Sequence, residues 1–301
     1  MTTDAQATSM EHASQSSHGW LLAGPAAFAL LALIILPALS VFFVALTDWQ
    51  FGARTFSYVG LENYHELFAD PDFYKSLRNT FVYVLIVVPG TVLTGLAIAL
   101  LVESDRTLRT FYRAAHFLPF MATLAAMAVA WEALLHPTIG LLNQALSDLG
   151  LPTANWLRDP STVLVTLAVI AIWKNLGFAM VLFMAGLKAI PRDLYDAADV
   201  DGAVGATDRL RTVTLPMLGP TMLFVVIVTA LRALETFDTV NILTQGGPAR
   251  ASEMLLYTLY VESFGYLQAG RGAAITVVFL IIVVLLTLLQ MRVMDRRVHY
   301  S

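Results

Sequence analysis

The chain has 301 residues, of which 57% are apolar and only 13% charged, with a net charge of -4 and a mean hydropathy of +0.70. A soluble domain carries about a quarter charged residues, so this composition excludes an ordinary water-soluble fold, and the small acidic balance excludes a nucleic-acid binder, which needs a basic face. With no cysteine, disulfide frameworks, thiolate metal sites and thiol nucleophiles are excluded as well.

Residues 1–19 are polar and hold no lysine or arginine. A secretory leader needs a positive segment ahead of its apolar run, so a disordered cytoplasmic tail is expected here, with His12 and His18 solvated rather than metal-bound. Six apolar runs follow, at 20–46, 80–102, 114–135, 163–187, 217–241 and 273–291. About 20 residues at helical rise cross a hydrocarbon core, and five of the runs reach that length with few charges. The run at 217–241 is equally apolar until it meets Arg232, Glu235 and Asp238. The expected fold is all-α: a polytopic membrane protein of about six spans occupying 20–292, with a short C-terminal tail at 293–301.

Lysine and arginine favour the inner side of a membrane. With both termini inside, the inner segments hold Arg106, Arg109, Arg113, Lys188, Arg192, Arg209, Arg211 and the C-terminal arginines, and the outer ones hold fewer. The two long outer loops carry aromatics such as Tyr58, Tyr64, Phe73 and Trp156, which suit ordered caps at a membrane–water interface. Ser57, Ser147 and Ser252 then fall outside and Thr207 inside. Pro89 and Pro119 lie in spans, where neighbouring helices can satisfy the backbone groups that a kink frees.

The inner loop between the fourth and fifth spans is the most informative stretch. Pro191 suits a first helical turn, and Leu194, Tyr195 and Ala198 recur at helical spacing. Asp201-Gly202 signals a turn, because glycine accepts a positive φ without steric cost. A second short helix is expected before Leu215-Pro216, and Ala197 and Ala198 would leave a low surface open to close approach. A calcium loop at Asp199-x-Asp201 is excluded, since Ala203 and Leu210 would occupy ligand positions. The chain also has no phosphate-cradling Walker sequence.

The charges inside the spans form a second group. A charge at a helix centre costs about 2.5–3.5 kcal/mol on insertion scales, so Lys174, Arg232, Glu235 and Asp238 need compensation. One reading is a water-filled substrate pathway lined by these groups with Trp173, Asn175 and Asn241. The other is a structural ion-pair network, with Arg232 and Glu235 on one helix face and Glu235 or Asp238 serving Lys174. The two are compatible.

Asp196-Ala197-Ala198, Asp201-Gly202-Ala203 and Leu215-Pro216 together resemble the EAA loop of binding-protein-dependent ABC importer permeases, of the carbohydrate-uptake class that includes the maltose and glycerol-3-phosphate permeases. The resemblance extends to Val59-Gly60-Leu61-Glu62-Asn63-Tyr64, Phe111-Tyr112-Arg113, Leu118-Pro119, Trp173-Lys174, Phe237-Asp238-Thr239, Thr244-Gln245-Gly246-Gly247-Pro248 and Arg296-Arg297-Val298-His299-Tyr300. It implies a coupling loop at 188–216 in which Asp196, Ala197, Ala198, Asp201 and Gly202 dock on an ATPase. It also implies a second homologous permease, two cytoplasmic ATPase subunits, an extracytoplasmic solute-binding protein, a small-molecule solute and no cofactor, all in a bacterial or archaeal inner membrane.

The sequence departs from the pattern in two places. Asp196 stands where Glu is usual, and the interval from Gly202 to Pro216 is one residue longer, which Gly205 is expected to absorb outside the helix. The implied solute is a carbohydrate or polyol, met by Trp173, Asn175, Phe237 and Asn241. Lys174 and Arg232 leave an anionic polyol such as a glycerol phosphate open, unless Glu235 and Asp238 neutralise them. A membrane-embedded enzyme would need convergent ligands, but His65, His116, His136 and His299 are scattered. A secondary transporter is disfavoured by the lack of a visible repeat.

Overall fold

The computed structural model describes residues 23–104, 109–203 and 205–297. The whole of the expected N-terminal tail at 1–19 and the start of the first run, with Arg106 and His299, lie outside the described residues. The described chain is helical, with an isolated bridge between Thr47 and Tyr58 and no strand. Its helices are α1 (Ala23–Val44), α2 (Glu62–Ala69), α3 (Pro71–Ser104), α4 (Arg109–Met121), α5 (Leu124–Leu134), α6 (Leu141–Asp148), α7 (Val163–Ala189), α8 (Arg192–Val200), α9 (Ala206–Met217), α10 (Gly219–Leu234), α11 (Asp238–Leu243), α12 (Leu255–Tyr260) and α13 (Ala269–Arg297). The last helix runs past residue 292, where a tail was expected.

Four of these, α1, α3, α7 and most of α13, are long and apolar enough to cross a membrane, and two bent pairs bring the number to six if each pair is one span. The third expected span is broken. Its halves α4 and α5 meet at 103° across Ala122 and Thr123, where Thr123 turns extended and begins a new helix. Pro119 lies inside the last turn of α4, and a proline there removes a backbone donor from the helix ladder. The fifth expected span is redrawn at both ends. Helix α10 meets α9 at 66°, beside Gly219-Pro220, and it stops at Leu234 with Glu235 as its C-cap. Asp238 and Asn241 therefore lie on the separate helix α11.

The chain divides into two compact units, one of residues 1–67 with 262–277 and one of residues 68–261 with 278–301. In the first unit the side chains of α1 stay exposed, as a lipid-facing helix requires. The turn after α1 is held by Asn63, whose Nδ2 donates to the carbonyls of Ala45 at 2.9 Å and Thr47 at 2.8 Å. Phe51 stacks on Phe264 at 5.5 Å, and the Gly270 N–H donates to the Trp49 carbonyl.

The second unit is organised on the pairing of α3 with α7. Tyr83 and Val87 pack with Leu167, Ala168 and Ile170 at one end, and Val92, Leu96 and Ala99 pack with Ala179, Met180 and Phe183 at the other. The loop at 136–161 is ordered by Asn143, which accepts from the Trp156 indole at 2.8 Å and donates to the carbonyls of Pro137 and Ala154. The loop after α11 is pinned to the start of α3. Lys75 donates to the Ala249 carbonyl, Asn79 to those of Arg250 and Glu253, and the Leu255 N–H donates to Thr80 Oγ1. Ser252 is fully buried there and donates to Gly247, so it is not the labelling site that the sequence suggested.

Two predictions follow from this arrangement. Single cysteines at the exposed Ser57 and Ser147 should react with an impermeant thiol reagent from outside, and one at the exposed Thr207 only from inside; outside labelling at Thr207 would reverse the topology. The second concerns Glu253. Burial raises its carboxyl above the usual 4.5, against the opposing pull of Arg250 3.5 Å away. A raised pKa means the folded loop holds the proton more tightly than the unfolded chain. Its contribution is complete below about pH 4.5 and is lost as pH rises through the raised value. Amide exchange at 245–255 should accelerate across that window, and E253Q should remove the dependence; an unchanged pH profile in E253Q would contradict the assignment.

Candidate functional site

On α7, residues 171, 174 and 175 share a face at helical spacing. Ala171, Lys174 and Asn175 accordingly line one cavity of about 200 Å³, together with Tyr83 of α3, Arg232 of α10, and Glu235, Thr236, Phe237, Asp238 and Thr239. Six of the expected pathway residues thus converge: Lys174, Asn175, Arg232, Glu235, Phe237 and Asp238. The break between α10 and α11 makes this possible. It releases Glu235 to Phe237 from the helix, where their side chains and backbone can turn to the cavity. Irregular backbone at membrane depth is tolerated where it is buried in protein or lines a cavity.

Trp173 does not join them. One residue along a helix is about 100° around it, so the Trp173 indole meets Trp131 edge-on at 5.3 Å and lines a separate apolar hollow with Met127, Ala130 and Leu134. Asn241 also lies off the cavity, because α11 has carried the chain past it after Thr239.

The expected ion-pair network is absent among the described residues: neither Lys174 nor Arg232 has a carboxylate partner within 4.0 Å. Arg232 is held differently. Its guanidinium carbon lies 4.8 Å from the ring centroids of both Phe120 and Phe178, and those rings stack on each other at 5.2 Å. The arginine also lies in the last turn of α10, where the carbonyl end of the helix favours a cation. Phe120 and Phe178 were not singled out from the sequence, since a phenylalanine in an apolar run carries no mark of a charged neighbour. A close crossing of α4 and α7 sets them side by side. A Cβ at Gly177 would lie 1.9 Å from the His116 carbonyl oxygen, so only glycine admits that approach.

The loop at 188–216 forms two short helices, as its pattern implied. Helix α8 ends in a Schellman turn: Gly202 has φ +91°, its N–H donates to the Asp199 carbonyl, and the Ala203 N–H donates to that of Ala198. Arg209 of α9 forks onto Asp199 with contacts of 2.7 and 2.6 Å, and the Tyr195 hydroxyl bonds Thr214 Oγ1 at 3.1 Å. These contacts fix the angle between the helices. Tyr195 and Ala198 pack on the core, whereas Asp196, Ala197 and Asp201 face outward and Val200 is 88% exposed. Ala198 is therefore an inward residue, not part of the open surface. Gly205 sits outside the helix as the N-cap of α9. Helix α9 contains a π-turn at Leu210–Thr214, the form in which a helix takes up one added residue.

Among the described residues, no group of three His, Asp or Glu side chains could hold a metal ion. The family model of the binding-protein-dependent transport system inner membrane component matches residues 72–300. The sn-glycerol-3-phosphate transport system permease protein UgpA of Agrobacterium fabrum is 34% identical over 81% of this chain and 83% of its own length. The sulfoquinovosyl glycerol transport system permease protein SmoG of the same organism is 32% identical over 91% and 89%. A chain in the crystal structure of a bacterial alginate ABC transporter, in complex with an alginate pentasaccharide-bound periplasmic protein, superposes with a TM-score of 0.82 at 20% identity, covering 94% of this chain and 96% of that one. The chain therefore belongs to the family of binding-protein-dependent transport system inner membrane components and is a multi-pass ABC importer permease of the carbohydrate-uptake class, a transport subunit that works with an ATPase and a solute-binding protein.

Proposed function

We propose that this chain forms one half of the translocation pathway for a carbohydrate or polyol, paired with a second, homologous permease. Both termini lie on the cytoplasmic side. Two ATPase subunits drive the pair through the loop at 188–216, and an external binding protein delivers the solute. The observation that carries this reading is the polar cavity between α3, α7 and α10. Its amide, carboxylates, cations and the Phe237 ring match a solute with many hydroxyls and apolar C–H faces. Glycerol 3-phosphate is the finer reading, supported by the two cations of the cavity and by the UgpA relatives of Agrobacterium fabrum and Brucella abortus, which are named sn-glycerol-3-phosphate transport system permease proteins.

In the coupling loop, the exposed Ala197, Val200 and Asp196 form the face that an ATPase groove would receive. Gly202 sets its direction, because a left-handed φ in a β-branched residue costs about 1–3 kcal/mol.

Two experiments test the reading. In the assembled complex, Ala197→Trp and Gly202→Val should leave the subunits together yet lower solute-stimulated ATP hydrolysis about tenfold or more, the effect of roughly 1.4 kcal/mol lost at an interface. Normal stimulation in both variants would remove the loop from the coupling role. Uptake by reconstituted complex across sugars, glycerol phosphate, peptides and amino acids should favour the sugars or the polyol, and Lys174→Met should slow uptake of the preferred solute about tenfold or more, as loss of about 1.5–3 kcal/mol for a hydrogen bond to a charged group requires. Preference for peptides or amino acids would contradict the substrate class.

A further inference from the structure

Two indoles meet between α5 and α7. Trp131 and Trp173 stand edge to face at 5.3 Å, and with Met127, Ala130 and Leu134 they line a hollow of about 270 Å³. Trp173 is 38% exposed and lies ten residues beyond Val163, the start of α7. That is about 15 Å along the helix, in a hydrocarbon core about 30 Å thick. Tryptophans of an interfacial belt sit at headgroup level, so an indole at this depth is not one of them. A tryptophan N–H away from bulk water normally finds a partner, as Trp156 does by donating to Asn143 at 2.8 Å. The N–H groups of Trp131 and Trp173 have no acceptor among the described residues.

The occupant of such a hollow has to present apolar faces to the indoles and Leu134, and acceptors to the two N–H groups. Acyl chains supply no acceptor, and the carbonyls of a neighbouring helix are spent in its own hydrogen-bond ladder. A sugar ring carries both, C–H faces and hydroxyl oxygens in one rigid body. The volume is just under the roughly 300–1,000 Å³ of clefts for drug-sized ligands, which suits one ring and not a chain of them. We infer that this hollow is a subsite for a single sugar ring stacked on Trp131 and Trp173. Residues 173 and 174 are consecutive on α7, so the subsite adjoins the polar cavity at about 100° around the helix. The inference rests on the carbohydrate or polyol reading and adds a requirement to it, a ring, which glycerol 3-phosphate lacks.

The test uses the complete reconstituted complex with its binding protein. The chain has no cysteine, so Ala130→Cys places a single thiol in the hollow. A hydrophilic thiol reagent should label it, and the transported ring sugar with ATP should slow labelling about fivefold or more, the scale of an aromatic contact. W131L/W173L should lower uptake of that sugar about tenfold, and W131F/W173F, which keeps ring faces but not the N–H groups, should lose less. An unreactive thiol would place the hollow against lipid or the second permease and overturn the inference, whether or not the leucine pair assembles. Labelling indifferent to the sugar would overturn it, as would equal uptake losses in the leucine and phenylalanine pairs. Uptake of an acyclic polyol in preference to ring sugars overturns it too and leaves the carbohydrate or polyol reading standing. Preference for peptides or amino acids overturns both.

Discussion

A hydrocarbon layer offers no hydrogen bonds, so every polar group at that depth must face protein or water. An uncompensated charge at a helix centre costs about 2.5–3.5 kcal/mol on insertion scales, and four charged side chains in or beside two spans would make insertion prohibitive if they met lipid. Here they converge on one cavity from α7 and from the break after α10. The interruption of α10 at Leu234 and the helical register of Lys174 with Asn175 are consequences of that requirement. The apolar faces of α1 and of the outer surface of α3 can then stay exposed, because lipid is their solvent.

The loop at 188–216 has a different logic. In the coupling role we propose for it, it must be stiff enough to carry a displacement from an ATPase subunit to α10, and its stiffness comes from polar contacts among its own residues. The fork between Arg209 and Asp199 joins α8 to α9, and the Tyr195–Thr214 bond adds a second tie. These side chains are partly exposed, so the ion pair by itself is worth little. Paired contacts spaced along two helices define an angle even when each is weak. Helix α9 then meets α10 at the Gly219-Pro220 bend, which gives a displacement of the loop a direct mechanical route into the wall of the cavity.

Much of this was legible in the sequence because the spans are long and uniform. Runs such as 163–187 have no competing interpretation at that length, and the turn at Asp201-Gly202 was marked by the one residue type that adopts φ +91° freely. The breaks were not legible. At 114–135 hydropathy continues unbroken through Ala122 and Thr123, and apolar content cannot report a 103° bend. Proximity in sequence also misled at Trp173, which adjoins Lys174 but points to another face. Arg232 reads in the sequence as a charge needing compensation, by pathway water or by the carboxylates of Glu235 and Asp238 a few residues on. Its actual neighbours, Phe120 and Phe178, come from two other helices. No pattern in one chain segment could have named them.

That the polar cavity is the solute pathway is most directly tested by water access at its wall. The chain has no cysteine, so a single cysteine replacing Asn175 can be probed in the assembled, membrane-embedded complex with a hydrophilic thiol reagent. One replacing Leu93, 66% exposed on the apolar surface of α3, serves as the lipid-facing control. The Asn175 site is expected to react, and to be protected when transported solute and ATP are supplied, while the Leu93 site stays unreactive in both conditions. An unreactive Asn175 site, or one whose labelling ignores the solute, would contradict a pathway through this cavity.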